Sequence, residues 1–161
     1  MEEFANQDGD TATKQLASSM AYAMAKILCS NTYIIQFIDE KRNARTLRGF
    51  FVKGGLFIVN MHLLEGYTYE DYIKGTFHLY NVFERITGIS AKKVSVLQLL
   101  HENSDNRYYD IIVLDFGGTA VRQHTDLTTF GDADRPTFVK TSNLKDLEGE
   151  RIMVMTTTIN A

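Results

Sequence analysis

The chain has 161 residues, of which 44% are hydrophobic and 23% charged, and its 17 Lys and Arg against 20 Asp and Glu give a formal net charge of −3. This composition is typical of a folded domain and excludes wholesale disorder, and the slight acidity argues against nucleic-acid binding through overall charge. The sequence has a single cysteine, and no apolar run approaches the roughly 18 residues of a membrane span. Its acidic start is unlike a secretory signal. These features predict a protein of a reducing compartment such as the cytosol.

The N-terminal part is predicted to be a short flexible segment followed by a helix. Residues 1–12 are polar, and Asp10 or Thr11 is placed to cap a helix over residues 13–30. Because a helix of this length is marginal alone, its apolar stripe predicts packing against the rest of the domain rather than membrane anchoring. The stripe consists of Leu16, Met20, Ala23, Met24 and Ile27.

Residues 31–120 have the pattern of an antiparallel β domain. The Gly54-Gly55 pair predicts a two-residue hairpin turn. Residues 121–148 are polar and turn-rich, and a last strand is predicted at Arg151–Thr158. Six or seven strands at short spacing, without intervening helices, predict a mostly β sandwich or barrel. The strand-like segments before residue 120 are Thr32–Ile38, Thr46–Lys53, Leu56–Asn60, Thr76–Phe83, Lys93–Leu100 and Asp110–Phe116.

Two residues have positions suited to acid–base chemistry. His62 follows the end of a predicted strand, and Asp110 opens another. If the two side chains meet at the rim of a barrel, the carboxylate would orient the imidazole and favour its charged form, as a general base for a Ser or Cys nucleophile requires. Spacing alone leaves ordinary structural roles open for both residues. The carboxylates of Glu70, Asp71 and Asp105 are alternative partners for the imidazole.

The order of elements resembles that of the picornavirus-type 3C-like cysteine proteases (picornains): an amphipathic helix, a glycine-containing hairpin that leads to His62, and Asp110 at the head of an apolar strand. The resemblance implies that the N-terminal helix precedes an antiparallel chymotrypsin-like β-barrel at residues 31–120. An inter-barrel connection would follow at 121–148, and the first strand of an incomplete second barrel at 149–161.

The same resemblance implies a function. His62 would be the general base and acid, Asp110 would orient it, and the substrate would be a peptide of a viral polyprotein in the host cytoplasm. No metal or organic cofactor is implied. Picornavirus-type proteases also bind RNA through the connecting segment, where this chain has Arg122 and Arg135. Neighbouring aspartates dilute that charge, so at most weak RNA binding is expected.

The sequence departs from that family at the nucleophile. The family carries it in a Gly-x-Cys-Gly or Gly-x-Ser-Gly turn, and this sequence contains neither. Cys29 has no adjacent His or oxyanion-binding glycine turn and is expected to be a buried or half-buried thiol. We therefore expect a catalytically incomplete N-terminal part of a thiol endopeptidase, inactive alone, which associates with itself or with the missing C-terminal half. The alternative is a non-enzymatic β-barrel that binds protein or RNA.

The other histidines do not predict a metal site. His78, His101 and His124 have no partner His, Cys or carboxylate at a metal-ligand spacing. His78 is expected to face solvent or a cross-strand neighbour.

Overall fold

The computed structural model describes residues 22–100, 110–129 and 149. Helix α1 covers residues 22–31 of the described part, and a second helix, α2, is Tyr69–Ile73. The described residues also include the 3₁₀ helices Met61–Leu63, Ala91–Lys93 and Leu127–Thr129. The strands are β1 Thr32–Ile38, β2 Ala44–Lys53, β3 Leu56–Val59, β4 Thr76–Tyr80, β5 Arg85–Ser90, β6 Ser95–Leu100 and β7 Ile111–Asp115.

The strands form one antiparallel sheet, curled into a half-barrel, in the order β5-β4-β1-β2-β3-β7-β6. Most neighbours in this order are also consecutive in sequence, whereas the β1–β4 and β3–β7 pairs join strands that are distant in sequence. The β3–β7 pair runs from Leu56 opposite Asp115 to Val59 opposite Ile112. It therefore brings the end of β3 next to the start of β7.

One face of the sheet holds an aromatic core. Alternate residues of β1 are buried, as expected for a strand that faces a core on one side, and Tyr33, Ile35 and Phe37 are fully inaccessible. Phe51 of β2 packs edge-on against Tyr33 and against Phe57, with ring centroids 5.3 and 4.9 Å away. Burial of each such side chain contributes roughly 1.5–3 kcal/mol. This face fixes the register, because a slip by one residue would expose it.

A partly buried polar cluster joins the segment after β7 to the sheet. It comprises Tyr33, Glu84, Arg122 and His124. The Tyr33 hydroxyl donates to Glu84 Oε1, lies 2.8 Å from His124 Nε2 and accepts from Arg122 Nη2 at 3.3 Å. Arg122 Nε also donates to Glu84 Oε1 at 2.9 Å. The His124 ring stacks on Phe51 with centroids 3.8 Å apart, which ties the polar cluster to the aromatic core.

The backbone of the same segment pairs with the β2–β3 turn. Gly54 and His124 exchange two main-chain hydrogen bonds of 3.0 and 3.1 Å, and Gly54 has a left-handed φ of +54°. The buried side-chain amide of Asn31 donates to the carbonyls of Phe51 and Thr125 at 2.9 and 2.8 Å. Because Lys53 of β2 pairs with Leu56 of β3, the glycine hairpin turn predicted from the sequence is confirmed, and a later part of the chain packs on it.

The mostly β, antiparallel architecture predicted from the sequence is also confirmed, with β1 at its predicted bounds. The expectation that no helix lies between the strands is wrong. Helix α2 forms because Thr68 and Asp71 make a reciprocal capping box at its start, in which each side chain accepts from the other residue's backbone N–H.

The region after β4 also differs from the prediction. The predicted strand Thr76–Phe83 ends at Tyr80, because Asn81 Oδ1 accepts from the backbone N–H of Phe83 and of Glu84 at 2.9 Å and turns the chain. Strand β5, which is absent from the predicted strands, begins directly after this turn. Its partner is β4, with a register shift between the two.

The predicted N-terminal helix is described only in part. Met24 and Ile27 of its apolar stripe are half-buried, whereas Ala23 is exposed. No helix in the described ranges is long and apolar enough to cross a membrane. Predictions that fall outside the described residues are the flexible segment 1–12, the helix cap at Asp10 or Thr11, Leu16, Met20 and the last strand Arg151–Thr158.

Candidate active site

His62 and Asp110 lie at the same end of the sheet. His62 is the middle residue of the 3₁₀ helix Met61–Leu63, which we call the His62 turn and which follows β3. Asp110 immediately precedes β7. Because β3 and β7 are paired antiparallel, the two positions are adjacent although 48 residues separate them in sequence.

Asp110 contacts His62 through both carboxylate oxygens. Oδ2 lies 2.9 Å from the imidazole Nε2, and Oδ1 accepts the backbone N–H of His62 at 3.1 Å. The Asp110 carbonyl accepts from Asn60 Nδ2 at 3.1 Å and from the Met61 N–H at 3.3 Å. Asn60 and Met61, which precede His62, therefore hold the backbone of Asp110 in place, while the Asp110 side chain orients the His62 ring. The two side chains meet as the sequence analysis requires, and their catalytic roles stay a prediction.

A second carboxylate, Glu65, contacts the other side of the imidazole. Its Oε2 lies 2.9 Å from His62 Nδ1. Glu65 is not among the residues predicted from the sequence. The spacing His-x-x-Glu is a signal that could have identified it, because side chains three residues apart in a tight turn can contact each other.

The two carboxylates stabilise the charged form of the imidazole. The hydrogen bond that the ring donates to Glu65, and then the negative charge of Asp110, raise the pKa of His62 above its ordinary value. His62 is thereby biased towards imidazolium, the form in which it can donate a proton or pair with an anion.

Arg45 of β2 holds the His62 turn in place. Its Nη1 donates to the carbonyl of His62 at 3.1 Å and to the carbonyl of Glu65, and its guanidinium lies 4.6 Å from the centroid of the Tyr67 ring. These contacts satisfy carbonyl groups at the end of the turn. In the sequence Arg45 is one of several charged residues of a hairpin, and only the fold shows its role.

The site is open to solvent on the imidazole side. The His62 side chain is 63% exposed and that of Asp110 is 25% exposed, so a reacting group can approach the ring while the carboxylate stays behind it. Glu65 and Met61 line a groove of about 390 Å³ next to the His62 turn. The groove is lined largely by apolar and aromatic side chains, among them Met61, Leu64, Tyr67, Tyr69, Tyr72 and Val96.

The other carboxylates that the sequence offered as partners of His62 do not contact its ring where the structure describes them. Asp71 belongs to the capping box of α2, and Glu70 is exposed on the same helix. Asp105 lies outside the described residues. Asp110 and Glu65 are therefore the carboxylates within hydrogen-bond distance of the imidazole in the described part of the chain.

The remaining candidates can be located in part. Cys29 is half-buried near the end of α1, which agrees with the predicted burial of this thiol. His78 Nδ1 accepts the N–H of Gly88 at 2.9 Å across the β4–β5 pair. His101 lies outside the described residues. In the ranges that the structure covers, no group of three or more His, Cys, Asp or Glu could hold a metal ion.

Arg122, one of the two predicted RNA contacts, is used within the protein. Its guanidinium pairs with Glu84 and donates to the carbonyl and hydroxyl of Ser30 at 3.0 and 2.7 Å. The other predicted contact, Arg135, lies outside the described residues. Arg122 therefore has fewer donors to offer a phosphate than its sequence position suggests.

The chain was compared with protein-family models and with curated proteins, and it matches neither. The chemistry available to it is thus that of an exposed imidazole held between two carboxylates, next to a largely apolar groove.

Proposed function

We propose that the chain supplies the acid–base half of a thiol endopeptidase with a chymotrypsin-like fold, of the picornain type that processes a viral polyprotein in the host cytoplasm. The observation that supports this proposal most directly is the contact between His62 and Asp110, in which one carboxylate oxygen binds the ring and the other binds the backbone of the same residue. A carboxylate beside an imidazole restrains the ring and stabilises its charged form. In the Ser-His-Asp triad the carboxylate holds Nδ1, whereas Asp110 holds Nε2, so the ring must turn before Nε2 can face a nucleophile.

The proposed reaction needs three groups, of which this chain provides two. His62 accepts the proton of a Cys thiol, the thiolate attacks the scissile carbonyl, and His62 then gives the proton to the leaving amine. Water releases the acyl group with His62 again as base, and Asp110 holds the ring throughout. Because the sequence has no Gly-x-Cys-Gly or Gly-x-Ser-Gly motif, the nucleophile must come from another polypeptide segment, and the chain alone should be inactive.

The proposal implies a substrate and a protein partner. The substrate is a peptide of the polyprotein, and the chain should associate with the segment that bears the nucleophile or with itself. Exposed Val96 and Leu97 on β6, which is an edge strand of the described sheet, provide apolar surface for such an association. Weak RNA binding through Arg122 and Arg135 is the least supported part, because Arg122 is paired with Glu84.

A non-enzymatic binding module is the second candidate. The missing nucleophile motif favours it, and the groove beside the His62 turn, with Tyr69 77% exposed at its rim, would suit an apolar protein segment better than RNA. The downstream reading frame separates the two candidates. A Gly-x-Cys-Gly motif at the distance of a second barrel favours the protease, and its absence favours the binding module.

The decisive experiment combines the chain with the polypeptide encoded downstream and follows cleavage of the joined polyprotein on gels. We expect His62→Ala to abolish cleavage and Asp110→Asn to slow it by about two to four orders of magnitude. His78→Ala, which changes a half-buried histidine of β4, is the control and should cleave normally. Cleavage that persists in His62→Ala would overturn the proposal.

A further inference from the structure

The two edge strands of the described sheet differ in how well they are protected against pairing with another chain. Strand β5 begins with Arg85, carries Gly88 in a left-handed conformation (φ +73°) and has a register shift against β4. Strand β6, Ser95–Leu100, has the sequence SVLQLL, without a charge, a proline or a glycine. Because charged residues commonly protect an edge, β6 is the strand of the two that is better suited to accept a further strand.

An apolar groove lies beside this edge. Val96 of β6 lines it together with side chains from residues 61–72, and its volume is about 390 Å³. Val96 is 38% exposed, and Leu97, which the register shift against β7 leaves without a partner in that strand, is 54% exposed. A strand added to β6 would therefore have a pocket for one of its side chains next to it. This combination is how β-strand addition obtains specificity.

The wall formed by residues 61–72 carries a net negative charge. It holds three carboxylates against one imidazole, namely Glu65, Glu70, Asp71 and His62. Arg45, which contacts this wall, is occupied by two of its backbone carbonyls. Exposed Lys92 and Lys93 precede β6, so a basic side chain of a partner is favoured at this wall and disfavoured towards the start of the strand.

We propose that β6 accepts an extended protein segment as an additional strand, with an aromatic or long aliphatic side chain in the groove and a Lys or Arg next to it, close to Glu65 or Glu70. A second copy of this chain fits less well, because its own β6 has no basic residue to place there. The inference goes beyond the proposed function, since it requires neither a nucleophile nor cleavage.

Synthetic peptides that differ in one property at a time test this surface on the full chain. The probe is the fluorescein-labelled peptide Thr-Val-Arg-Phe-Lys-Val-Thr with blocked ends. One control peptide replaces Phe by Ser, a second replaces Arg and Lys by Glu, and a third is methylated on alternate backbone nitrogens and cannot pair as a strand. We expect fluorescence anisotropy to show saturable binding of the probe, with each control bound about tenfold more weakly or not at all.

Amide hydrogen exchange and three variants locate the bound peptide. Saturation with the probe should slow exchange in residues 95–100 and leave residues 85–90 unchanged. Tyr69→Ser removes an aromatic ring from the groove, and Leu97→Lys places a charge on the edge, so each should weaken binding about tenfold. Phe83→Ser, which removes an exposed aromatic side chain from the β4–β5 turn, is the matched control and should bind normally.

Three results would overturn the inference. They are a lack of saturable binding by the probe and by its versions with Tyr, Trp or Leu in place of Phe, equal binding of the charge-reversed peptide, and protection of β5 instead of β6. Dimers of the chain alone that Leu97→Lys abolishes, in the absence of peptide binding, would assign the edge to a second copy. None of these assays measures cleavage, so failure of the proposed protease function leaves their outcome unchanged.

Discussion

Replacing Tyr33 by Phe removes one oxygen atom from the centre of the polar cluster and leaves the aromatic packing of β1 in place. The hydroxyl has three partners, since it donates to Glu84, accepts from Arg122 and lies 2.8 Å from His124 Nε2. Arg122 keeps its own contact with Glu84 at 2.9 Å, so that ion pair survives the substitution. The substitution therefore removes mainly the hydroxyl's own hydrogen bonds and deprives His124 Nε2 of its contact with Tyr33.

The size of the expected loss of stability follows from the burial of Tyr33 and His124. A hydrogen bond to a charged partner contributes about 1.5–3 kcal/mol net, and a buried polar atom left without a partner costs about 1–3 kcal/mol. Tyr33 is fully inaccessible and His124 is 6% exposed, so solvent cannot replace the lost oxygen. We expect Tyr33→Phe to lower the free energy of unfolding by roughly 2–4 kcal/mol, a large part of the 5–15 kcal/mol typical of a domain.

Urea unfolding followed by circular dichroism measures this loss, with Tyr80→Phe as the matched control. The Tyr80 hydroxyl donates to Gln36 Oε1 at 2.9 Å between two half-buried side chains. Because water can replace that bond, we expect a loss of roughly 0.5–1.5 kcal/mol. Equal losses in the two variants would refute the reasoning, since they would mean that the polar cluster is no more stabilising than a surface hydrogen bond.

Two further predictions concern pH and the His62 turn. Burial, followed by the charge of Arg122, lowers the pKa of His124 to about 4 from an ordinary 6.5. Between pH 6.5 and 4 the unfolded chain therefore takes up a proton that the folded chain does not, and the free energy of unfolding decreases as the pH is lowered. The destabilisation caused by His124→Gln, measured by urea unfolding, should therefore shrink over that interval, and a constant difference would contradict the assignment. Arg45→Met should speed amide hydrogen exchange across residues 61–67, because the arginine's bonds to two carbonyls are lost; Arg48→Met on the same strand should not, and equal effects would rule out a specific clamp.

Local sequence patterns predicted most of the sheet. Strand β1 is rich in β-branched and aromatic residues, and the Gly54-Gly55 pair marks the β2–β3 turn, so both were predictable. Strand β5, with the sequence RITGIS, has few apolar residues and a glycine with φ of +73° at position 88, so the period of a strand is hard to recognise. Helix α2 has five residues, and its signal is the Thr-x-x-Asp capping pattern rather than its periodicity.

The candidate site could be predicted as two residues but not as an arrangement. The types and positions of His62 and Asp110 suggested acid–base chemistry, yet their meeting depends on the pairing of β3 with β7, a non-local contact that no local pattern encodes. The roles of Glu65 and Arg45 depend on the same tertiary geometry. A charged side chain in a turn is ordinarily solvated, and only coordinates show that these two contact the same short turn.

The hydrogen bonds between β3 and β7 have a consequence for how this site tolerates change. A single-residue insertion or deletion within β7 would move its first residues by roughly 3.3 Å along the strand and turn each of them towards the opposite face. Such a change could leave a folded sheet whose histidine no longer has its acidic neighbour. Length variation should therefore be far less tolerated within these two strands than exchange of one apolar side chain for another of similar volume.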